Sequence, residues 1–272
     1  MKIKKRSLPE GWYPSSAAEV QATVEKYRRN YAPKEAKSLA GIAPHAGWFF
    51  SGDLAYRVIS TLSVQDTCVV IGGHLGQKDS LCLYSYDGFE TPLGILKGDE
   101  DLQLRIIQKF QPHLATDGDN TVEVQLPLLH SCFPSLRVVC LRCPPNAEAI
   151  RLGKFLAALR KEGKSIVLLA STDLTHYGPN YGFISKGVGE QALQWVRNEN
   201  DFPFLEAALH LDPDEVLAQA EKNQSACSAG AAAAAVSFAR ELGLKGTLVG
   251  YGTSWEKHPS SSFVGYGGII YT

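Results

Sequence analysis

Short apolar runs alternate with longer amphipathic stretches along almost the whole chain of 272 residues. The predicted β-strands are SLAGIA (38–43), TCVVIGG (67–73), SLCLYSY (80–86), LRVVCLR (136–142), KSIVLLAS (164–171), GTLVGYG (246–252) and FVGYGGIIY (263–271). Several runs lack the strict apolar–polar alternation of a half-exposed strand, so we expect both faces of these strands to be covered. The predicted helices span 17–29, 53–62, 99–110, 121–131, 146–161, 188–199, 201–210, 213–221 and 226–243.

The repeated succession of strand and helix predicts an α/β fold with a mainly parallel central sheet flanked by helices. No linker-like break, low-complexity tract or internal repeat interrupts the pattern, so residues 1–272 are predicted to form a single domain. The last predicted helix contains AGAAAAA (229–235). Its small side chains favour close packing and burial, although alanine also favours helices by propensity alone.

The charge balance argues against nucleic acid as a partner, because 27 Lys and Arg residues face 28 Asp and Glu residues and the net charge is −1. No surplus of basic side chains remains to neutralise phosphates. No apolar run approaches the ~18 residues of a membrane span, and the basic start MKIKKRSLPEGWYP lacks the apolar core of a signal peptide. We therefore expect a cytoplasmic protein that does not engage a membrane.

Of the six cysteines, only Cys140 and Cys143 form a C-x-x-C pair, and prolines follow that pair directly. A zinc site would need a second pair, and a thioredoxin-type motif would need a helix beginning between the cysteines. The cysteines are therefore predicted to be reduced and mostly buried thiols.

Titratable residues follow three of the predicted strands at the point where each strand ends. His45 follows 38–43, His74 follows 67–73, and Asp173 and His176 follow 164–171. In an open α/β sheet, ligands bind beyond the carboxyl ends of the strands. A single histidine there is commonly a hydrogen-bonding residue, but three at one edge indicate a metal or acid–base site, since imidazole suits both roles.

Several common sites are excluded by missing motifs. The sequence contains no G-x-x-x-x-G-K-[ST] loop and no G-x-G-x-x-G after a strand, which disfavours nucleotide binding. It also lacks the G-x-S-x-G elbow of α/β-hydrolases.

Two further residues lie where a helix is predicted to begin. With Ser225 as N-cap, Cys227 would occupy a first helical turn, where the dipole favours a thiolate that could ligate a metal or act as a nucleophile. A small buried residue is the alternative. Glu123 lies near the start of 121–131 with Thr121 as a candidate cap, and an acidic residue there also simply complements the dipole.

Together these segments resemble the Memo family, also called AmmeMemoRadiSam system protein B. The segments that carry the resemblance are LPEGWYP (8–14), APHAGWFFSG (43–52), VVIGGHLG (69–76), TVEVQLPLL (121–129), ASTDLTHYGPNYG (170–182), SACSAGAAAAAV (225–236) and VGYGGIIY (264–271). The blocks PHAG-x-x-x-SG and S-x-D-x-x-H-YG are the most specific of these.

The resemblance implies a fold similar to that of LigB-type class III extradiol dioxygenases, which hold non-haem Fe(II) with two histidines and a carboxylate. In the Memo family the ligands are two histidines and a cysteine, which match His45, His74 and Cys227. The implied cofactor is Fe(II) or copper, with zinc as a third choice. His176 and Asp173 match the catalytic base region, with His176 as general base and Asp173 orienting its ring or tuning its pKa.

Family members usually carry an acidic residue and a histidine just before the stretch TVEVQLPLL (121–129), and here those positions read Asp119 and Asn120, so the sequence departs from the family at the histidine. Asn120 can form hydrogen bonds but cannot titrate near neutral pH. The inference of catalytic activity from the family is therefore weakened, whereas the inference of metal binding is not. Asn120, Glu123 and Trp48 are the expected substrate contacts. Trp48, with Phe49 and Phe50, would form an aromatic wall beside the ligands, with core packing as the alternative.

Three functions remain open beside unrelated hydrolase chemistry using His, Asp and Cys. The first is a dioxygenase-like oxidoreductase, against which the softer, oxidisable thiolate ligand argues. The second is a metal-binding redox or metal-handling protein. The third is a non-catalytic protein whose cleft binds a peptide or that acts with a radical-SAM protein partner. In each case a small molecule or a peptide is the expected ligand of the cleft.

Overall fold

A computed structural model describes residues 1–31, 37–63 and 65–272. The strands are β1 (Ile3–Lys4), β2 (Ala40–Ala43), β3 (Thr67–Gly72), β4 (Cys82–Leu83), β5 (Gly88–Thr91), β6 (Gly94–Lys97), β7 (His113–Leu114), β8 (Arg137–Arg142), β9 (Ile166–Ser171), β10 (His176–Tyr177), β11 (Gly246–Thr253) and β12 (Phe263–Tyr271). The α-helices are α1 (Ala17–Asn30), α2 (Asp53–Ile59), α3 (Glu100–Phe110), α4 (Asn120–Glu123), α5 (Leu126–Cys132), α6 (Ala147–Lys161), α7 (Glu190–Trp195), α8 (Phe202–Leu209), α9 (Pro213–Asn223) and α10 (Ala229–Glu241). Two π-helical turns precede α2 and α8, at Trp48–Gly52 and Val196–Asp201.

The larger sheet runs in the order β10-β12-β2-β9-β3-β8-β4-β7, with β11 paired to β12. Its centre is parallel, because β2, β9, β3 and β8 all point the same way. Antiparallel pairs join this centre to β12 on one side and to β4 on the other. The predicted α/β class, with a central sheet flanked by helices, is confirmed; the sheet is mixed, with a parallel centre and antiparallel pairs toward its margins.

Both faces of the central strands are covered, which explains their continuous apolar runs. Alternate residues of β3 face opposite ways: Val69 and Ile71 belong to the core on the side of α6 and α10, whereas Cys68 and Val70 belong to the core on the side of α1, α2 and α5. The carboxyl ends of β2, β9 and β3 therefore lie side by side at one edge of a sheet whose two faces are both covered by helices.

The Ala-rich helix α10 is buried along almost its whole length, as predicted. It packs closely on α6 at Gly153, where an added Cβ would collide with the backbone oxygen of Ala234. The helix begins at Ala229 rather than at 226, so Cys227 precedes it. Ser225 does not cap it, since its hydroxyl donates to the Gln219 carbonyl oxygen over 3.2 Å.

Other differences lie at the margins of the sheet. The run 80–86 contributes only the short strand β4, and the predicted helix 121–131 is divided into α4 and α5. The β5–β6 hairpin, which pairs with β1 in a separate small sheet, was not predicted. None of the helices in the described parts of the chain has both the length and the apolar character needed to cross a bilayer.

Candidate metal centre

Three neighbouring strands each place a polar residue just beyond the carboxyl edge of the sheet. His45 follows β2, His74 follows β3 and Asp173 follows β9, and β9 lies between the other two strands. The chain leaves β3 through Gly73, whose φ of +109° favours glycine. The Gly73 N–H donates to the Thr121 hydroxyl over 2.8 Å, which anchors the loop before His74 to α4.

The two histidines and Cys227 form one cluster. Donor atoms of His45, His74 and Cys227 all lie within 4.8 Å of one another. The Sγ of Cys227 is 3.2 Å from Nε2 of His45, and the two imidazole rings meet edge to face with their centroids 5.2 Å apart. These residues come from distant parts of the chain, so their meeting is a product of the tertiary fold.

Cys227 reaches the cluster because the segment before α10 is bonded to the end of β9. The Cys227 N–H donates to the Asp173 carbonyl oxygen over 3.2 Å, and the Ser228 N–H donates to the Thr172 hydroxyl over 3.0 Å. These bonds hold the thiol over the sheet edge without the helical first turn that the sequence suggested.

Gln125 and Ser171 support His45 from behind, and the sequence pattern did not single them out. The Ser171 hydroxyl lies 3.4 Å from Nδ1 of His45, so Nε2 is the nitrogen that faces Cys227. The buried Gln125 amide donates to the Ser171 hydroxyl over 2.9 Å and to the Pro44 carbonyl oxygen over 2.8 Å. The signal for Gln125 was a lone amide within the apolar stretch VEVQLPLL. Such supporting contacts fix the orientation of a metal-binding imidazole.

Burial determines the protonation of the cluster. Burial, reinforced by the charge of His74, lowers the pKa of His45 to about 3, so its imidazole is neutral and keeps a lone pair available. Burial raises the pKa of the Cys227 thiol to about 12, with the charge of Asp173 adding to the effect. A cation would reverse this preference, because a coordinating thiol is deprotonated. Two imidazoles and a sulfur are a donor set that fits iron, copper or zinc.

Asp173 is buried, and its carboxylate contacts His45. The backbone N–H of His45 donates to Oδ1 of Asp173 over 2.7 Å, and Oδ2 lies 3.9 Å from Nε2 of the His45 ring. Burial raises the pKa of Asp173 to about 6. No hydrogen bond of the described residues joins Asp173 to His176, and the carboxylate of Asp173 instead fixes the backbone of His45.

His176 lies in β10 with its ring packed edge to face on Tyr181, the centroids 5.0 Å apart. Burial lowers the pKa of His176, and the negative charge of Asp173 partly opposes this shift. The charge of Asp173 therefore favours the protonated form of the His176 imidazole.

A cleft of about 610 Å³ opens over the cluster. The predicted residues that line it are His45, His74, Asn120, Asp173 and His176. Its walls include Phe49 and Phe50, which are 67% and 37% exposed. The cleft is wide enough for a small organic ligand that contacts both the cluster and His176.

Comparison with known proteins identifies the family of the chain. A family profile described as Memo-like protein matches residues 7–270. The chain belongs to the Memo family. A MEMO1 family protein of Methanococcoides burtonii is 29% identical over 268 residues, covering 95% of this chain and 96% of that protein. One from Thermococcus kodakarensis is 30% identical over 251 residues, covering 85% of this chain and 86% of that protein.

The Memo fold is also similar to a crystal structure of an uncharacterised protein from Escherichia coli K12. The two share a TM-score of 0.53 at 15% sequence identity, over 85% of this chain and 99% of the other. This likeness concerns the fold alone.

Trp48 does not form the aromatic wall that we expected in this Memo protein. Its side chain is 4% exposed, and its indole N–H donates to the Val124 carbonyl oxygen over 3.1 Å. The ring packs between Tyr13 and Tyr27 in the core. Phe49 and Phe50, which follow it in the π-helical turn, face the cleft instead.

Glu123 is likewise not a residue of the cleft. Its buried carboxylate accepts hydrogen bonds from the N–H groups of Ser7 and Leu8, from the Ser7 hydroxyl and, over 2.8 Å, from the Tyr13 hydroxyl. These contacts fasten residues 7–13, the N-terminal strap, across the molecule. The strap contributes Glu10, Gly11 and Trp12 to the cleft wall, so Glu123 shapes the site from a distance.

Replacing Glu123 by glutamine should loosen the strap. The glutamine amide would direct an N–H group at one of the N–H or O–H groups that now donate to the carboxylate. Two donors would then face each other, which lowers the free energy of unfolding by about 2 kcal/mol. Denaturant unfolding measures this loss, and limited proteolysis should show earlier cleavage within the strap. The matched control is Glu90→Gln, which removes a more exposed carboxylate bonded to Lys5 and Arg6 and should cost less than about 1 kcal/mol. Equal losses in both variants would contradict the anchoring role.

Proposed function

We propose that this Memo protein holds a transition-metal cation at His45, His74 and Cys227 and uses it in redox chemistry on a small ligand in the cleft. Fe(II) or copper is the proposed cation; zinc, the third choice, would occupy the same ligands without redox chemistry. The observation that carries the proposal is the convergence of three donor atoms from distant segments within 4.8 Å. The neutral, rigidly oriented His45 supports it.

A cysteine nucleophile is the weaker interpretation of the same cluster. Nucleophilic cysteines react as thiolates and lie where the pKa of the thiol is lowered. Here burial raises the pKa of Cys227, and the nearest carboxylate, that of Asp173, raises it further. A cation would compensate the negative charge that this pocket otherwise disfavours.

The residues around the cluster suit a ligand with a hydroxyl group. A cation bound there would supply Lewis acidity and, if it is iron or copper, electron transfer. His176 would accept the proton of a ligand hydroxyl, and the charge of Asp173 would stabilise the resulting imidazolium. Phe49 and Phe50 would hold the apolar part of the ligand, while Asn120 would exchange a hydrogen bond with its polar edge.

Metal analysis of the purified chain tests the proposal. Protein loaded anaerobically with Fe(II), Cu(I) or Zn(II) and passed over a desalting column should retain about one equivalent of the preferred metal. Retention of none of the three would overturn the proposal. Oxygen uptake in the Fe(II) form with a panel of catechols then separates oxidoreductase from metal carrier, and a fully loaded protein that consumes no oxygen would be a carrier.

A second candidate is binding of a peptide or of a radical-SAM protein partner without catalysis. It is favoured by the exposed aromatic rim of the cleft, where Phe49 is 67% and Tyr181 is 46% exposed. Large exposed aromatic side chains at a cleft are typical of binding surfaces. Partner capture that persists after metal removal, and that Phe49→Ala abolishes, would favour this candidate.

A further inference from the structure

Asp201 is a fully buried carboxyl group that the proposed function does not use. It ends the π-helical turn between α7 and α8 and has a relative exposure of 0%. None of the ion pairs formed by the described residues includes it. Burying an acidic group without a cation is costly unless hydrogen bonds satisfy it, so the identity of its donors indicates what it does.

The donors belong mainly to the segment that carries Asp173 and His176. Oδ1 of Asp201 accepts from the Thr175 N–H over 3.1 Å and also from the Thr175 hydroxyl. Oδ2 accepts from the Tyr251 hydroxyl over 2.8 Å. Asp201 therefore fixes the residue immediately before His176.

The neighbouring Asn200 reaches a second segment. Its side-chain amide donates to the Thr175 hydroxyl over 2.7 Å and to the Asn223 carbonyl oxygen over 2.9 Å. Asn223 is the last residue of α9, in the stretch that leads to Cys227. Two adjacent side chains of one π-helical turn thus bond to both segments.

The backbone of β12 fixes the position of this pair from the other side. The Gly265 N–H donates to the Thr175 carbonyl oxygen over 2.9 Å, and the Leu174 N–H donates to the Gly265 carbonyl oxygen over 2.8 Å. A Cβ at Gly265 would collide with Oδ2 of Asp201, so the carboxyl group lies directly against the strand.

We propose that Asn200 and Asp201 form a clamp that holds residues 172–177 and residues 223–228 at a fixed separation. Asp201 is then a positioning residue for the candidate metal centre, because the two clamped segments carry Asp173, His176 and Cys227. The segments meet again at the centre, where the Cys227 N–H donates to the Asp173 carbonyl oxygen over 3.2 Å. This inference rests on the proposed function only for its effect on metal affinity. π-Helical turns are frequent at functional sites, which agrees with the assignment.

Hydrogen exchange of the metal-free full-length protein tests the clamp itself. Thr175→Val keeps the side-chain shape and removes the shared hydroxyl. Peptides covering 172–178 and 224–229 should exchange about 10-fold faster than in wild type, because local opening becomes less costly. Tyr251→Phe is the matched control, since it removes a bond to Asp201 that touches neither segment, and its exchange in these peptides should remain that of wild type. Equal exchange in Thr175→Val and Tyr251→Phe would overturn the clamp.

Cobalt binding tests the positioning role with a probe that reports geometry. Co(II) bound by a thiolate gives charge-transfer and ligand-field bands, which should shift in Thr175→Val and Asp201→Ala while the Co(II) affinity falls about 10-fold or more. Asp201→Asn, whose amide can still accept from Thr175 and donate to Tyr251, should restore both. Unchanged bands and affinity in Thr175→Val would overturn the positioning role. If wild type itself shows no Co(II)–thiolate band, the proposed metal function fails, and the exchange comparison alone decides for or against the clamp.

Discussion

Replacing Cys227 by serine should remove most of the iron or copper that the proposed site binds and lower metal affinity by more than about 100-fold. Residues that only support a ligand typically contribute ~10–100-fold, and Cys227 supplies the only sulfur of the cluster. Serine retains the size of cysteine but is a far poorer ligand at neutral pH, so the loss would reflect chemistry rather than packing. His45→Ala should have a comparable effect, because it removes the nitrogen 3.2 Å from that sulfur. Metal content per chain after loading and desalting gives the result.

Cys132→Ser is the control for this prediction. Cys132 is a half-buried free thiol at the end of α5, outside the cluster, so its loss should leave metal content unchanged. Unchanged stoichiometry in both Cys227→Ser and His45→Ala would rule out the assigned ligands. Equal losses in Cys227→Ser and Cys132→Ser would show that bound metal reflects thiols in general.

Replacing Gly153 by valine should be the most destabilising change among those considered. A Cβ at this position would lie 2.9 Å from the Phe238 nitrogen and closer still to the Ala234 oxygen, both backbone atoms of α10. Backbone atoms within a helix cannot move aside as the end of a flexible side chain can. The helices α6 and α10 would therefore have to move apart. Overpacking of this kind costs about 3 kcal/mol or more, which corresponds to a fall in Tm of roughly 6–12 °C.

The control is Ala158→Val, on the exposed side of the same helix. It introduces the same side chain and should cost only about 0.6 kcal/mol through helix propensity. Thermal unfolding of both variants makes the comparison. If the Tm of Gly153→Val lies within about 2 °C of that of Ala158→Val, a difference of roughly 1 kcal/mol or less, the close contact between the helices does not limit stability.

Features set by local pattern could be predicted from the sequence. Strands covered on both faces show as unbroken apolar runs, and residues that follow parallel neighbouring strands must emerge at one edge. That reasoning predicts a common edge for His45, His74 and Asp173, and the fold confirms it. The close packing of α10 was also predictable, because only small side chains line that stretch.

Features set by tertiary contacts were not predictable in this way. Nothing local distinguishes Glu123 as an anchor for the N-terminal strap, since its donors lie more than 100 residues earlier in the chain. Trp48 and Phe49 are adjacent aromatics, and only the π-helical turn determines that Trp48 enters the core while Phe49 faces the cleft. The sequence predicts that the Ala-rich helix begins at 226, whereas α10 begins at Ala229. The difference arises because the Ser225 hydroxyl donates to the Gln219 carbonyl oxygen of α9 and does not cap α10.

The arrangement of the cluster also bears on the order of events during folding. His45 and Cys227 are 182 residues apart in sequence, and they meet only after β2 and β9 have paired and the segment before α10 has closed over the sheet edge. A metal ion coordinated by both side chains would therefore cross-link the amino-terminal half of the molecule to its carboxyl-terminal half. Such an ion would bind late, favour the native state by mass action and make resistance to unfolding depend on metal supply.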